Sequence, residues 1–234
     1  MKRIILSVFA IILFIGTTSG QGNDRKFKIG LYGDLGTSWL KPKSKDLNYS
    51  GLKSSYGFGL MVDYYFAKNY IFNTGFYVNY AGGKVDYLNR QTVDTSSILY
   101  KGTLEKNYSI QYLELPINLK LKTNQIGYLS YFAVLGLNTG FRLKSQSDDK
   151  FLYNDNKTTY ETLENDAKND INFFNFSFNV AAGAEYEVNN SLSLFGQLSF
   201  GNGLLDILKT SSTMNPDVHK ASLNKIALTV GVIF

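Results

Sequence analysis

The stretch Asn224 to Phe234 places Asn224, Ile226, Leu228, Val230, Val232 and Phe234 on one face of an extended chain. Lys225, Ala227, Thr229, Gly231 and Ile233 fall on the other. A period of two with one uncharged face predicts a half-buried strand, and the pattern recurs along the chain. Phe27 to Trp39 sets Phe27, Ile29, Leu31, Leu35 and Trp39 against Lys28, Tyr32 and Asp34. Ser54 to Phe66 sets Tyr56, Phe58, Leu60, Val62, Tyr64 and Phe66 against Met61 and Asp63. A strand starting at Tyr70 sets Tyr70, Phe72, Phe76, Val78 and Tyr80 against Asn73, Tyr77 and Asn79. Tyr108 to Lys122, Gly127 to Lys144, Ile171 to Val188 and Ser191 to Gly201 repeat the alternation, for eight strands in all.

The connections alternate in length. Lys41 to Lys53, Gly82 to Asn107, Ser145 to Asp170 and Asn202 to Ala221 read as long polar loops, although the second could prolong its strands first. Ala67 to Asn69, Thr123 to Ile126 and Asn189-Asn190 read as short turns. Eight strands with alternating long and short connections predict an all-β, eight-stranded antiparallel up-and-down transmembrane β-barrel, because such barrels pair long extracellular loops with short periplasmic turns. The central apolar faces carry no charge. A Lys or Arg there would cost about 2–4 kcal/mol at a bilayer midplane, whereas a water-facing barrel would carry no such penalty. Outward aromatics gather at strand ends. Phe27, Phe66, Tyr70, Tyr186 and Phe234 would form one interfacial girdle, and Trp39, Tyr56, Tyr80, Phe141, Phe174 and Phe200 the other. A soluble, ligand-filled barrel would have to hold all these rings inside, and eight strands leave little room for them.

The N-terminus sets the compartment. Lys2 and Arg3 precede an apolar run from Ile4 to Ile15 and small residues up to Gly20, which predicts a cleaved secretory signal peptide. The run is short for a spanning helix of about 20 residues. The expected organisation is signal peptide 1–20, polar lead-in 21–26 and barrel domain 27–234, integral to the cell outer membrane. The absence of cysteine excludes disulfides, thiolate metal sites and Cys lipidation. The formal charge of +5 falls by two when Lys2 and Arg3 leave with the signal peptide, and the remaining charge is dispersed. No nucleic-acid partner is expected from it.

The inward face offers the candidate chemistry. Asp34, Asp63, Glu114, Lys120, Arg142, Glu185 and Lys225 share it, with Lys28 and Glu187. Buried charges need partners, so a cross-lumen network with Asn79, Asn118, Asn138, Asn179 and Gln197 is expected to plug the barrel and fix its register. The alternative use of the same charges is a narrow gated path for an ion or small solute. Pro116 lacks an N–H and marks an interruption of the ladder.

Tyr112-Leu113-Glu114-Leu115-Pro116, followed by alternating Ile117-Asn118-Leu119-Lys120, resembles the Tyr-Leu-Glu-Ile-Pro element of PorT-like outer-membrane barrels of the Bacteroidetes group. The resemblance implies the same barrel fold and outer-membrane location. Through the family's founding member it also implies an accessory part in type IX secretion.

Enzymatic signals are weak. His219 stands alone near Ser211, Ser212 and Ser222 in a loop and reads as a solvated side chain. Asp148, Asp149, Asp155, Glu161 and Glu164 do not have the spacing of a calcium loop. No cofactor or metal is expected. The expected partners are outer-membrane lipid, the barrel-assembly machinery through the C-terminal strand ending at Phe234, and proteins at the long loops. The expected function is that of a non-enzymatic surface, interaction or secretion-accessory barrel, with the narrow channel as the alternative.

Overall fold

A computed structural model describes residues 26–93, 98–153 and 158–234. The signal-peptide segment and all of the lead-in except Lys26 lie outside the described residues. The strands are β1 (Phe27–Pro42), β2 (Asn48–Gly51), β3 (Lys53–Ala67), β4 (Tyr70–Thr92), β5 (Leu99–Lys122), β6 (Leu129–Tyr153), β7 (Thr158–Asp166), β8 (Phe174–Asn189), β9 (Leu192–Gly203) and β10 (Ala221–Ile233). Eight of them form a ring in the order β1, β3, β4, β5, β6, β8, β9, β10, each antiparallel to its neighbours. β10 closes the ring on β1, from Gly30 opposite Ile233 to Pro42 opposite Ala221. The short turns follow local chemistry. At one of them the Asn189 side chain accepts the Ser191 N–H at 2.9 Å, an Asx-type closure of the hairpin.

Two stretches expected to be loops are sheet instead. β4 and β5 stay paired from Gly82 opposite Ser109 to Thr92 opposite Leu99. β6 continues to Tyr153, and β7 folds back on it from Thr158 to Asp166. β2 adds to β4 through Asn48 opposite Asp86. A five-stranded extension, β2-β4-β5-β6-β7, therefore stands above the ring. The 23 residues of β4 at about 3.3 Å each far exceed the roughly 25 Å apolar band of such a barrel.

The extension has its own core. Val85 and Tyr87 of β4, Leu104, Tyr108 and Ile110 of β5, and Phe151 of β6 pack with Leu40, Leu47, Ile171, Ile207 and Leu208. On β6 a bulge makes this possible. Gln111 pairs with Lys144 and Tyr112 with Arg142, which leaves Leu143 as an extra residue. Below the bulge even-numbered Phe132 and Val134 are buried, and above it odd-numbered Ser145, Ser147 and Phe151 are. One inserted residue switches which parity points inward. Residues 204–220 cross the mouth as a strap. Ile207 and Leu208 are buried in the core, and Ser212 and Thr213 bond β4 at Leu88, Asn89 and Arg90.

Candidate functional site

Inside the ring the side chains form layers. In the middle layer Lys225 Nζ lies 3.0 Å from both Asp34 oxygens, 2.6 Å from Tyr77 Oη and 2.9 Å from Asn79 Oδ1. Tyr77 also donates to Asp34, and its ring stacks on Tyr32 at 5.5 Å. Asn79 Nδ2 donates to Glu114 Oε1 at 2.7 Å. In the lower layer Lys120 Nζ donates to Asp63 Oδ2 at 2.9 Å and also pairs with Glu185, as does Lys122. Asn73 Nδ2 donates to Asp63 Oδ1 at 2.6 Å, and Asn118 Nδ2 to Asn73 Oδ1 at 3.0 Å. The Lys120 ammonium sits 4.6 Å from the centre of the Phe132 ring, within cation–π range.

Six of the nine charged residues expected on the inward face thus occupy these two layers: Asp34, Glu114 and Lys225 above, Asp63, Lys120 and Glu185 below. Arg142 does not join them, which corrects the expectation. It is the bulge partner of Tyr112 at the upper rim, and its Nη1 donates to the Lys168 and Ile171 carbonyls. It therefore holds the turn that enters β8. Tyr77, Asn73 and Lys122 belong to the lumen set as well. Their alternation with Phe76, Phe72 and Leu121 was the available signal.

In the Tyr112–Pro116 element, Tyr112 and Glu114 are buried inward, while Leu113 and Leu115 are half-buried on the outer face. Pro116 stands opposite Gly75, where the β4–β5 ladder is interrupted between Thr74–Ile117 and Tyr77–Glu114. Thr74 Oγ1 donates to the Pro116 carbonyl at 2.8 Å. Gly75 has φ +152°, and a Cβ there would lie 2.0 Å from the Leu60 carbonyl oxygen, so only glycine fits.

The outward rings pair at both rims. Phe27 meets Tyr64 at 4.8 Å, Phe66 meets Tyr70 at 6.1 Å and Tyr128 meets Tyr186 at 6.0 Å at the short-turn end, where Phe234 is also exposed. At the opposite rim Trp39 meets Phe200 at 6.4 Å, Tyr56 meets Tyr80 at 4.5 Å and Phe141 meets Phe174 at 5.3 Å.

His219 is buried, not solvated. Its Nε2 is 3.0 Å from Asp46 Oδ2, and its ring packs edge-on against Tyr87 at 4.4 Å. Ser212 Oγ donates to the Leu88 carbonyl, so this cluster fastens the strap. Partial burial pushes the Asp46 carboxyl up, but its own backbone N–H, His219 and Asn215 outweigh that and hold it below the ordinary carboxylate range. The acidic residues of the β6–β7 hairpin are engaged too. Asp149 pairs with Lys106 at 3.2 Å, Glu161 with Lys150 at 3.4 Å, and Asp148 accepts the Glu164 N–H at 3.0 Å. Asp155 lies outside the described residues. Among the described residues no three His, Cys, Asp or Glu side chains are arranged to hold a metal ion.

A family model described as an outer membrane protein beta-barrel domain matches residues 19–209. Solved barrels resemble the chain at low identity. Neisserial surface protein A is 10% identical with a TM-score of 0.43, over 89% of this chain and 96% of its own. A major outer membrane protein from Thermus thermophilus is 10% identical with a TM-score of 0.43, over 90% and 100%. Ail, the attachment invasion locus protein of Yersinia pestis, is 11% identical with a TM-score of 0.35, over 90% and 100%. Among curated proteins none matches this chain.

Proposed function

The chain belongs to the outer membrane protein beta-barrel domain family and is integral to the outer membrane, and from that premise we propose that it is a non-conducting, non-enzymatic surface barrel that binds partners through its extracellular sheet. The observation that carries this reading is the ordered extension above the barrel. Its outward and tip positions expose Leu88, Ile98, Leu99 and Leu163, and large apolar groups held on a rigid scaffold suit protein recognition. The filled lumen supports the non-conducting half. Two charged layers sit beneath an apolar core that includes the fully buried Tyr108, Tyr112 and Phe151, and the lumen cavity is only about 100 Å³. The resemblance at Tyr112–Pro116 supports a secretion-accessory role within this reading. Folding would proceed through the barrel-assembly machinery engaging the C-terminal strand that ends at Phe234.

The test pairs two measurements. A photo-crosslinker at Leu99 should capture a cell-surface or periplasm-derived protein in intact cells, while one at Leu228, on the membrane face, should not. The purified barrel in planar bilayers should give no stepwise conductance. Steps that Glu114→Gln alters would instead favour the narrow channel.

A further inference from the structure

The two charged layers differ in balance. The lower one sets Asp63 and Glu185 against Lys120 and Lys122. The middle one holds two carboxylates, Asp34 and Glu114, and a single ammonium, Lys225, which is bonded to Asp34. Glu114 is 4% exposed. Its contacts are the amides of Asn79 at 2.7 Å and Asn138 at 3.5 Å, and it has no ion pair among the described residues. A buried carboxylate without a directly bonded counter-charge keeps an uncompensated desolvation penalty, and Lys225 reaches Glu114 only through Asn79.

The surroundings show what would relieve it. Gly140 stands opposite Glu114 on one side and Asn175 on the other. A Cβ on Gly140 would lie 3.3 Å from Tyr112 Cδ1 and 3.4 Å from both Glu114 Cγ and Asn175 Cβ, so the bare glycine lets the carboxylate-bearing and amide-bearing side chains pack close together over the backbone. Asn175 is 3% exposed, and its Oδ1 has no donor. Asn138 Oδ1 has none either. All three side chains line the lumen cavity. The unmet groups are one negative charge and two neutral amide oxygens, the donor set of a hard cation. A single carboxylate matches a single positive charge and is too sparse for a divalent or transition metal.

We propose that Glu114, Asn138 and Asn175 bind a monovalent alkali cation of the sodium class within the barrel. The ion neutralises Glu114 and ties β5, β6 and β8 together across Gly140. This site is independent of surface binding, since crosslinking at Leu99 reports on the extension and not on the lumen.

The test melts detergent-folded protein in sodium chloride and in choline chloride at equal ionic strength, from mildly acid to mildly alkaline pH. Sodium should raise the melting temperature saturably, by about 3–6 °C at ten times its dissociation constant. Glu114→Gln should remove the sodium dependence. Asn175→Ala, which keeps the carboxylate, should shift it to higher sodium and so covers a failure of the first variant to fold. Broadening of the sodium-23 resonance by wild type and not by Glu114→Gln would support the site directly. Equal melting of wild type in the two salts at every pH would overturn the proposal and assign Glu114 a proton. A sodium rise that persists unchanged in both variants would overturn it too.

Discussion

β4 and β5 each pass through two environments, and their side chains exchange roles on the way. In the lower half Asn73, Tyr77, Asn79, Glu114, Asn118 and Lys120 point inward, while Phe72, Phe76, Ile117 and Leu119 point outward. In the upper half Val85, Tyr87, Leu104, Tyr108 and Ile110 point inward, while Lys84, Arg90, Lys101 and Glu105 point outward. The parity is continuous and the polarity inverts. Lipid demands an apolar exterior and leaves the lumen to paired polar groups. Water allows a polar exterior, and the interior becomes an ordinary apolar core. The chain is a membrane barrel and a water-facing β-structure built from the same strands, joined near Ala81 and Tyr112.

The sharpest way to break this comparison is to empty the upper core. Phe151→Ala should cost the extension about 3–5 kcal/mol and make residues 83–107 and 145–166 cleavable by protease, while the ring keeps its compact, heat-modifiable gel band. Loss of both together would mean that the halves do not fold separately. In the lower half Lys120→Met takes the ion pair from Asp63, at 0% exposure, while Glu185, at 3%, keeps Lys122. Breaking one partner of such a buried set costs about 3–5 kcal/mol, which should lower the temperature of the gel-band transition. Restoring balance with Asp63→Asn should recover part of it. Leu228→Arg and Leu88→Arg test the exterior, where both leucines are exposed, at 59% and 54%. The first should cost about 2–4 kcal/mol in folding titrations into lipid, and the second should fall within about 0.5 kcal/mol of wild type. Equal costs would place both residues in one environment. The most local effect belongs to the strap. Thr213→Ala removes its hydroxyl bonds to Asn89 and Arg90, at about 0.5–1.5 kcal/mol each, and should speed amide exchange in residues 207–219 alone.

The pH response of the strap follows from Asp46. Its carboxyl is held below the ordinary value of about 3.9, so its contribution is complete above that value and is lost as pH falls through the lowered one. At neutral pH the strap should be insensitive to this group.

The barrel was legible in the sequence because lipid penalises any charge on the outer face, which keeps the alternation clean from Phe27 to Trp39 and from Tyr56 to Phe66. The upper sheet was not, although Val85-Tyr87 and Leu104-Tyr108-Ile110 carry the same period. Their outward neighbours are Lys, Asp and Glu, and a polar exterior reads as loop when only membrane strands are sought. His219 misled for a related reason. Its sequence neighbours are polar, yet the strap folds it against Tyr87. Arg142 keeps the inward parity of Phe132, Val134 and Asn138, but it stands opposite Tyr112 at the upper rim, above the charged layers, and turns to the Lys168 and Ile171 carbonyls; period-two counting gives the face of a strand residue and not its height along the barrel. Glu114 and Lys225 could be assigned to the inward face from parity, but which acid meets which lysine depends on strand tilt across the ring.

The most direct test of the two-environment strand is hydrogen–deuterium exchange of the folded protein in micelles, read at Val85 to Arg90 and Leu104 to Ile110. Protection approaching that of Leu113 to Lys120 is expected if the extension is a packed sheet. Exchange as fast as that of unstructured peptide at those amides, with the ring still protected, would contradict it.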